Sequence, residues 1–191
     1  MHPALIPAER IMRAHDGVLT LSAWFGGELL HSPRERRDDP DEPFRRFQRL
    51  PASEIATALD LVIDLHVRLD AEGWTAGDLY DGCLMYDFPS RTVKVIDFEF
   101  YHHGPYRNEV GRLPGSTRFM APEEFTKGAV IDARTTVFTL AQMIEVFLVH
   151  QHVDHPSSAL ARAATRADPS ERPASLLEFQ RTWRSVAMHE I

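Results

Sequence analysis

Two aspartates flank a segment that has the sequence pattern of a β-hairpin. Asp78 precedes the run "CLMYDF", Asp97 lies near the end of the run "TVKVIDF", and "PSR" separates the two runs as a turn. A hairpin brings its two ends side by side, so carboxylates nineteen residues apart can share one opening. Such a pair suits phosphoryl transfer, in which one carboxylate orients the attacking hydroxyl and another holds Mg²⁺ against the phosphate oxygens.

Two further motifs follow these aspartates in the chain. "GSTRFMAPEEF" occupies residues 115–125, and "DPSERP" occupies residues 168–173. In this order, with Asp97 opening the triplet "DFE", the motifs resemble the C-terminal lobe of protein kinases from about residue 19 onward. The resemblance implies an ATP- and Mg²⁺-dependent phosphotransferase of the Ser/Thr protein kinase type, with Asp78 as catalytic residue and Asp97 as Mg²⁺ ligand.

The same resemblance implies roles for three residues of the later motifs. Glu123 of "MAPEE" and Arg172 of "SERP" lie forty-nine residues apart and correspond to a buried ion pair of the family. A buried charge needs such a partner, because stranding it typically costs about 3–5 kcal/mol. Ser116 corresponds to the Ser or Thr that forms a hydrogen bond near the catalytic aspartate, on the substrate side.

The resemblance also implies residues that contact a nucleotide, in a hinge-like segment and in the hairpin. Trp24 directly precedes "FGGE", which resembles the hinge between the two lobes of a kinase. Met85 and Ile96 correspond to apolar positions below the adenine ring. The resemblance therefore implies that these three side chains border an ATP site, although each is equally compatible with an ordinary core or interface position.

Several positions depart from the family pattern. The H-R-D triplet reads "AGD" here, so the arginine that reads a phosphorylated activation loop is missing, and control by such phosphorylation is not expected. Tyr80 replaces a lysine, and Glu99 replaces the glycine of D-F-G. Cys83 replaces the asparagine that would bind a second Mg²⁺, and a thiol is a poor ligand for so hard an ion. Asp81 is the alternative Mg²⁺ ligand if the loop is reshaped.

The upstream part of the chain lacks the phosphate-holding motifs of a kinase. The only two lysines are Lys94 and Lys127, and neither follows a Gly-rich loop. We therefore assign residues 1–27 to residual N-lobe strands and the hinge, and residues 28–191 to the kinase-like C-lobe. Three interpretations are open: a shortened active kinase, a non-catalytic pseudokinase, and a small-molecule phosphotransferase, since "GD" before the hairpin resembles the H-G-D of aminoglycoside-kinase relatives.

An apolar surface is expected near the N-terminus. Leu19 and Leu21 alternate with polar residues in the strand-like run "GVLTLSAWF", which Trp24 and Phe25 complete. A missing N-lobe or a partner protein would cover this Leu19–Phe25 surface, and an uncovered apolar patch of this kind marks an interaction site. The substrate is expected to be a protein or a small molecule that carries a hydroxyl group.

The elements that position these residues follow from the hydrophobic periodicity. Apolar residues recur at helical spacing over residues 52–71, and Gly73 lies just beyond them as a helix-ending signal. Residues 134–149 are apolar on most faces, which predicts a buried central helix. Residues 100–117 lack a clear period and predict a loop, and the capping box "SLLE" from residue 175 precedes a final helix. The predicted fold is α+β and mainly helical, with a small β-hairpin at the cleft and one or two N-terminal strands.

The composition and net charge of the chain argue against several classes of function. A net charge of −7 argues against binding to nucleic acid or to an anionic membrane, because such proteins are normally basic. No apolar run in the sequence is long enough to span a bilayer. The single cysteine excludes an internal disulfide framework and predicts a cytoplasmic protein. The mixed-sign run "RERRDD" at residues 34–39 is typical of a solvated loop.

Overall fold

The computed structural model describes residues 1–187. Within this range the chain is an α+β protein with five α-helices and small antiparallel sheets. The helices α1 to α5 are Pro43–Gln48, Ala52–Ala71, Ala133–Ile144, Ser158–Ala164 and Leu176–Ala187. The strands β1 to β9 are Ala8–Ala14, Gly17–Ser22, Glu28–Leu29, Trp74–Thr75, Leu84–Asp87, Thr92–Val95, His102–His103, Tyr106–Arg107 and Val130–Ile131.

Helix α2 has the bounds that its periodicity predicts. Ile55, Leu59 and Val62 recur on the face that packs against α3 and α5, and each is at most 2 % exposed. The helix ends because Gly73, two residues beyond it, adopts a φ of 85°, a conformation that costs glycine little. This helix is the rigid element that leads into the segment carrying Asp78.

The predicted central helix is α3 followed by a turn of π-helix over Glu145–Val149. Asp132 caps the start of α3, where its Oδ1 atom accepts a hydrogen bond from Arg134 N at 2.8 Å. Phe147, in the π-helical turn, is fully buried together with Trp183 of α5. A helix that is apolar on most faces therefore forms the centre of the core, as its composition predicts.

The hairpin between the two aspartates is strands β5 and β6. The strands pair in antiparallel register, with Leu84 opposite Val95 and Met85 opposite Lys94, and β3 adds to the other edge of β5. Leu84 and Val95 are each 1 % exposed, so one face of this three-stranded sheet is sealed against the body. The prediction of a small hairpin at this position is confirmed.

Residues 1–6 pack against the body of the protein. Leu5 forms a parallel bridge with Val95, at the free edge of β6. His2 is buried, and its Nε2 atom lies 3.1 Å from Asp64 Oδ2 of α2. The first residues therefore contact both α2 and the edge of the small sheet.

Strands β1 and β2 form a hairpin that projects from the body. Its apolar side chains are largely exposed: Ile11, Val18 and Leu19 keep 68 %, 66 % and 51 % of their surface. The predicted N-terminal region over residues 1–27 is thus divided between an anchored segment and this projecting hairpin.

The segment over residues 100–117, predicted to be a loop, contains two short strands. Strand β7 pairs with β4, and β8 pairs with β9, with two residue pairs in each ladder. Strands of two residues are too short to show an alternating pattern, which explains why periodicity misses them. Among the described residues, no helix is both long and apolar enough to cross a membrane.

Candidate functional site

Asp78 and Asp97 share an uncommon backbone conformation. Their φ angles are 52° and 65°, in the left-handed region that residues with a side chain seldom adopt. Such conformations are retained where the surrounding structure requires them, and they are frequent at functional sites. Among the described residues only Arg91, in the turn of the β5–β6 hairpin with a φ of 53°, shares this conformation without being glycine.

The carboxyl group of Asp78 is partly buried, and one of its oxygen atoms lacks a hydrogen-bond partner among the described residues. Its Oδ1 atom is buried and accepts no hydrogen bond from the described residues. Burial raises the pKa of Asp78 above its usual range, the nearby charge of Asp97 raises it further, and Arg112 opposes the shift. A buried acceptor without a partner, with a perturbed pKa beside a second carboxylate, marks a candidate site for a ligand.

Asp97 lies at the wall of a cavity of about 570 Å³ between the projecting hairpin and the sheet. Trp24, Met85 and Ile96, the three residues predicted to border a nucleotide, line the same cavity. Asp97 itself is exposed, so its carboxylate is accessible from this side. The structure thus brings four of the predicted site residues together at one cavity.

Asp78 lines a second cavity, of about 310 Å³, whose wall also includes Glu99. The segment after Asp97 closes tightly on the segment before Asp78, because a Cβ atom on Gly77 would lie 2.2 Å from the Phe100 carbonyl oxygen. Glycine is required at this close approach. Asp78 therefore lines one cavity and Asp97 lines the other. The negative charge of Asp97 also acts on the carboxyl group of Asp78.

Cys83 connects the two aspartates at the base of the hairpin. Its thiol donates a hydrogen bond to the Asp78 carbonyl oxygen at 3.1 Å, and its own carbonyl oxygen accepts one from Ile96 N at 2.9 Å. Burial raises the pKa of Cys83 to about 12, and the charges of Asp97, Asp78 and Asp81 contribute to the rise. The thiol is therefore protonated at neutral pH and acts as a hydrogen-bond donor.

Asp81 differs from its predicted role as a Mg²⁺ ligand. It is fully buried, its Oδ1 atom lies 3.0 Å from His31 Nδ1, and its Oδ2 atom accepts a hydrogen bond from Arg118 Nη2. Because both oxygens have protein partners, the carboxylate serves as an internal ion-pair partner. In the described part of the chain, no group of three or more His, Cys, Asp or Glu side chains is arranged to hold a metal ion.

Ser116 lies in the segment that passes beside Asp78. Its backbone oxygen accepts hydrogen bonds from Phe119 N at 2.8 Å and Met120 N at 3.3 Å, which form a turn. Within residues 1–187 the Asp78 Oδ1 atom has no hydrogen-bond partner, so the Ser116 hydroxyl does not bind it. The neighbouring Gly115 is close instead, since a Cβ atom there would lie 3.4 Å from Asp78 Oδ1.

The predicted ion pair between Glu123 and Arg172 is present. Arg172 Nη1 and Nη2 donate to Glu123 Oε1 and Oε2 at 2.6 and 2.9 Å, in the two-pronged geometry that guanidinium favours. The hydroxyl of Thr135 donates a further hydrogen bond to Glu123 Oε1 at 2.8 Å. The pair joins the segment beside Asp78 to the turn before α5.

Sequence reasoning misses a buried pair that holds the segment after Asp97. His66 of α2 has Nδ1 2.7 Å from the Val62 carbonyl oxygen and Nε2 2.7 Å from the Tyr101 hydroxyl. Burial lowers the pKa of His66 to about 4, so the ring is neutral, donates from Nδ1 and accepts from Tyr101. A histidine at an apolar position of a helix is the one sequence feature that indicates this contact.

Glu124 is a second residue that sequence reasoning does not single out. It is 6 % exposed, and its Oε2 atom accepts a hydrogen bond from Ala121 N at 2.7 Å. Burial raises the pKa of Glu124 to about 7, and the charges of Glu123 and Asp78 contribute to the rise. Glu124 follows Glu123 directly in "MAPEE", but nothing in this motif indicates that its side chain is buried.

Lys94 of β6 forms hydrogen bonds with the N-terminal segment. Lys94 Nζ donates hydrogen bonds to the carbonyl oxygens of Pro3 and Leu5 at 2.6 and 3.0 Å. Lys127 is exposed, just after the segment that carries Glu123. Neither lysine lines the cavity of Asp97.

A scan of the chain against protein-family models found no match, and a search of curated proteins found none either.

Proposed function

We propose that this chain is a protein kinase-like C-terminal lobe with the phosphotransferase chemistry of the Ser/Thr type. The observation that carries the proposal is the placement of Asp78 and Asp97, both in left-handed backbone, on segments that meet at Gly77 and Phe100, with each aspartate lining a cavity. A buried free cysteine such as Cys83 is stable in the reducing cytoplasm, where we place this activity.

Asp78 is suited to receive the hydroxyl of a substrate. Asp78 lines the cavity that Glu99 also lines, so a substrate hydroxyl that enters this cavity can donate a hydrogen bond to the Asp78 carboxyl group. The raised pKa makes the carboxylate a stronger base than an exposed aspartate, which favours orientation or removal of the hydroxyl proton.

The residues around Asp97 provide some of the contacts that a nucleotide and a hard cation require. Apolar side chains, Trp24, Met85 and Ile96, supply walls for a planar base, and the exposed carboxylate of Asp97 supplies an oxygen ligand. When bound, Mg²⁺ would neutralise charge on the phosphate oxygens of ATP. Because Lys94 is bound to backbone oxygens, we expect weak binding of ATP.

One observation favours a second candidate function, a non-catalytic interaction module. Trp24 is 93 % exposed, and Leu19 and Leu21 are 51 % and 45 % exposed on the same N-terminal surface, whereas Phe25 is half-buried. A protein partner, or an N-lobe supplied by a longer chain, would cover this surface. A small-molecule phosphotransferase is the third alternative, and the Glu123–Arg172 pair favours the protein kinase type over it by the resemblance.

Mn²⁺ with ATP provides the experimental test, because this paramagnetic ion broadens the NMR signals of nearby residues. We expect weak binding, with broadening around Asp97 and at the residues of its cavity. Asp97→Asn should remove the broadening, because it removes the oxygen anion that a hard cation requires.

Two variants control this test. Asp16→Asn makes the same change in an exposed turn and should leave the broadening intact. Asp78→Asn should keep a folded protein that binds ATP but transfers no phosphate to a Ser/Thr substrate. Broadening that is absent in the unmodified chain, or that persists in Asp97→Asn, would refute the proposal.

A further inference from the structure

The wall of the cavity of Asp78, of about 310 Å³, combines two carboxylates with several aromatic rings. Asp78 and Glu99 supply the carboxylates, and the rings belong to Phe100, Tyr101, His102 and Tyr106. Among the described residues, no lysine or arginine lines this cavity. The cavity therefore presents negative charge and aromatic rings to a molecule that enters it.

Gly77 keeps a positively charged side chain out of this cavity. It stands where the H-R-D triplet of the resemblance has its arginine, and it lines the cavity wall. A Cβ atom on Gly77 would lie 2.2 Å from the Phe100 carbonyl oxygen, so no larger residue fits this backbone. The chain therefore cannot compensate the two carboxylates from this position.

Glu99 is available to a ligand. It is exposed, and it forms no hydrogen bond or ion pair with any residue in the described part of the chain. Arg112, whose positive charge acts on Asp78, does not line the cavity, and its guanidinium donates hydrogen bonds to the backbone oxygens of Leu113 and Gly115. The negative charge of Glu99 is thus left for a molecule from outside the chain.

Three of the rings are held in place by contacts within the protein. The Tyr101 hydroxyl lies 2.7 Å from His66 Nε2, and its ring packs edge-on against Phe98 with centroids 5.0 Å apart. The rings of His102 and Tyr106 lie 4.7 Å apart, inclined by 36°. Aromatic faces attract cations, and groups that are already fixed lose less freedom when a ligand binds.

We propose that the cavity of Asp78 and Glu99 binds an organic cation, a guanidinium or ammonium group, through the Glu99 carboxylate and the aromatic wall. Resting on the proposed function, this cation is a basic side chain of the acceptor peptide whose hydroxyl faces Asp78. Glu99 is then a specificity-determining residue, at the position where the resemblance has the glycine of D-F-G. Acidic acceptors are disfavoured, because like charges in one site repel each other.

N-acetylarginine amide and N-acetylcitrulline amide are matched probes of this site, because citrulline has nearly the shape of arginine but no charge. An NMR titration of the full chain with each compound, without ATP, measures their binding. We expect the arginine compound to bind saturably and to shift the signals of residues 99–106. The citrulline compound should bind about fivefold more weakly or worse, because it loses both the ion pair and the cation–π contact.

Glu99→Gln should weaken binding of the arginine compound about two- to fivefold, as expected for the loss of an exposed ion pair. Glu109→Gln is the matched control: it removes the same charge from an exposed residue of the same segment, outside the cavity wall, and should leave binding unchanged. Tyr106→Leu should weaken binding by a similar factor, because it removes a ring but keeps an apolar side chain.

Three outcomes overturn the proposal: no binding of the arginine compound to the unmodified chain, equal binding of the two compounds, or equal binding in the unmodified chain and in Glu99→Gln.

Capped Arg-Ser and Arg-Ala dipeptides test whether the cation belongs to the acceptor. Tighter binding of the serine dipeptide supports a cation and a hydroxyl on one molecule, whereas equal binding refutes the peptide acceptor and leaves a cation site. Asp97→Asn removes the proposed metal ligand, which does not line this cavity, so this variant should still bind the arginine compound. Failure of metal binding and failure of the cation site are therefore measured separately.

Discussion

The carboxyl group of Asp78 experiences two unfavourable influences together. It is partly withdrawn from water, and the charge of Asp97 acts on it where the two segments meet. Burial is the larger influence, so the group stays perturbed even if its neighbour is neutral. The coupling between the two aspartates is therefore a quantity that can be measured without any assay of activity.

At this scale we predict that Asp97→Asn lowers the pKa of Asp78 while leaving it above the value of an exposed aspartate. Removing a nearby negative charge favours ionisation, whereas burial still opposes it. The measurement is a pH titration of ¹³C-labelled aspartate carboxyl groups by NMR.

Asp87→Asn serves as the control, because Asp87 lies at the other end of β5, by the turn. It should leave the pKa of Asp78 unchanged. An unchanged pKa of Asp78 in Asp97→Asn would show that the two carboxylates do not share a site.

At the scale of elements, the Glu123–Arg172 pair joins parts of the chain that are far apart in sequence. The Arg172 side chain is fully buried, and the Glu123 side chain is 6 % exposed. Arg172 also donates to the carbonyl oxygens of Arg166 and Ala167, which shape the turn before α5. Loss of either charge would leave the other stranded in the interior.

Arg172→Met should lower the free energy of unfolding by about 3–5 kcal/mol, because it leaves the Glu123 carboxylate buried without its partner. Urea unfolding followed by circular dichroism measures this change. Arg162→Met, at an exposed position of α4, should have little effect.

The double variant Glu123→Gln with Arg172→Met should be more stable than Arg172→Met, since the stranded charge is gone. Equal stability of the two variants would contradict a buried, mutually dependent pair.

Sequence patterns predict the elements whose residues repeat. The period over residues 52–71 gives α2, and two short apolar runs around a turn give the β5–β6 hairpin. The spacing of Glu123 and Arg172, read through the resemblance, gives their ion pair. Each of these predictions uses a local pattern or a complete motif.

The remaining features depend on contacts between distant residues that carry no local pattern. Asp81 meets His31 and Arg118, fifty and thirty-seven residues away, which no spacing in the sequence foretells. Nor does the composition of residues 1–6 indicate that they add to the edge of β6. Such placements come from the whole packing of the chain.

For the molecule as a whole, the N-terminal region contributes unequally to stability. Ala4 is fully buried, whereas Ile11, Val18 and Leu19 of the projecting hairpin are mostly exposed. Burial of apolar surface is the main favourable term in folding, so the short anchored segment should matter more than the longer hairpin.

We predict that the triple variant Ile11→Ser, Val18→Ser and Leu19→Ser keeps the melting temperature of the unmodified chain within a few degrees. In contrast, Ala4→Asp should lower it strongly, because it places a charge in the core. Differential scanning calorimetry measures both. A large fall in the triple variant would mean that the hairpin is part of the cooperative unit.

The hairpin of β1 and β2 is attached to one small sheet at both of its ends. Before it, Leu5 joins the free edge of β6; after it, Glu28 and Leu29 join the opposite edge, on β5. The hairpin is therefore connected to both edges of this sheet, and the cavity of Asp97 lies between the hairpin and the sheet. Trp24, which follows β2 and lines this cavity while 93 % exposed, is placed to report by its fluorescence a molecule that enters there.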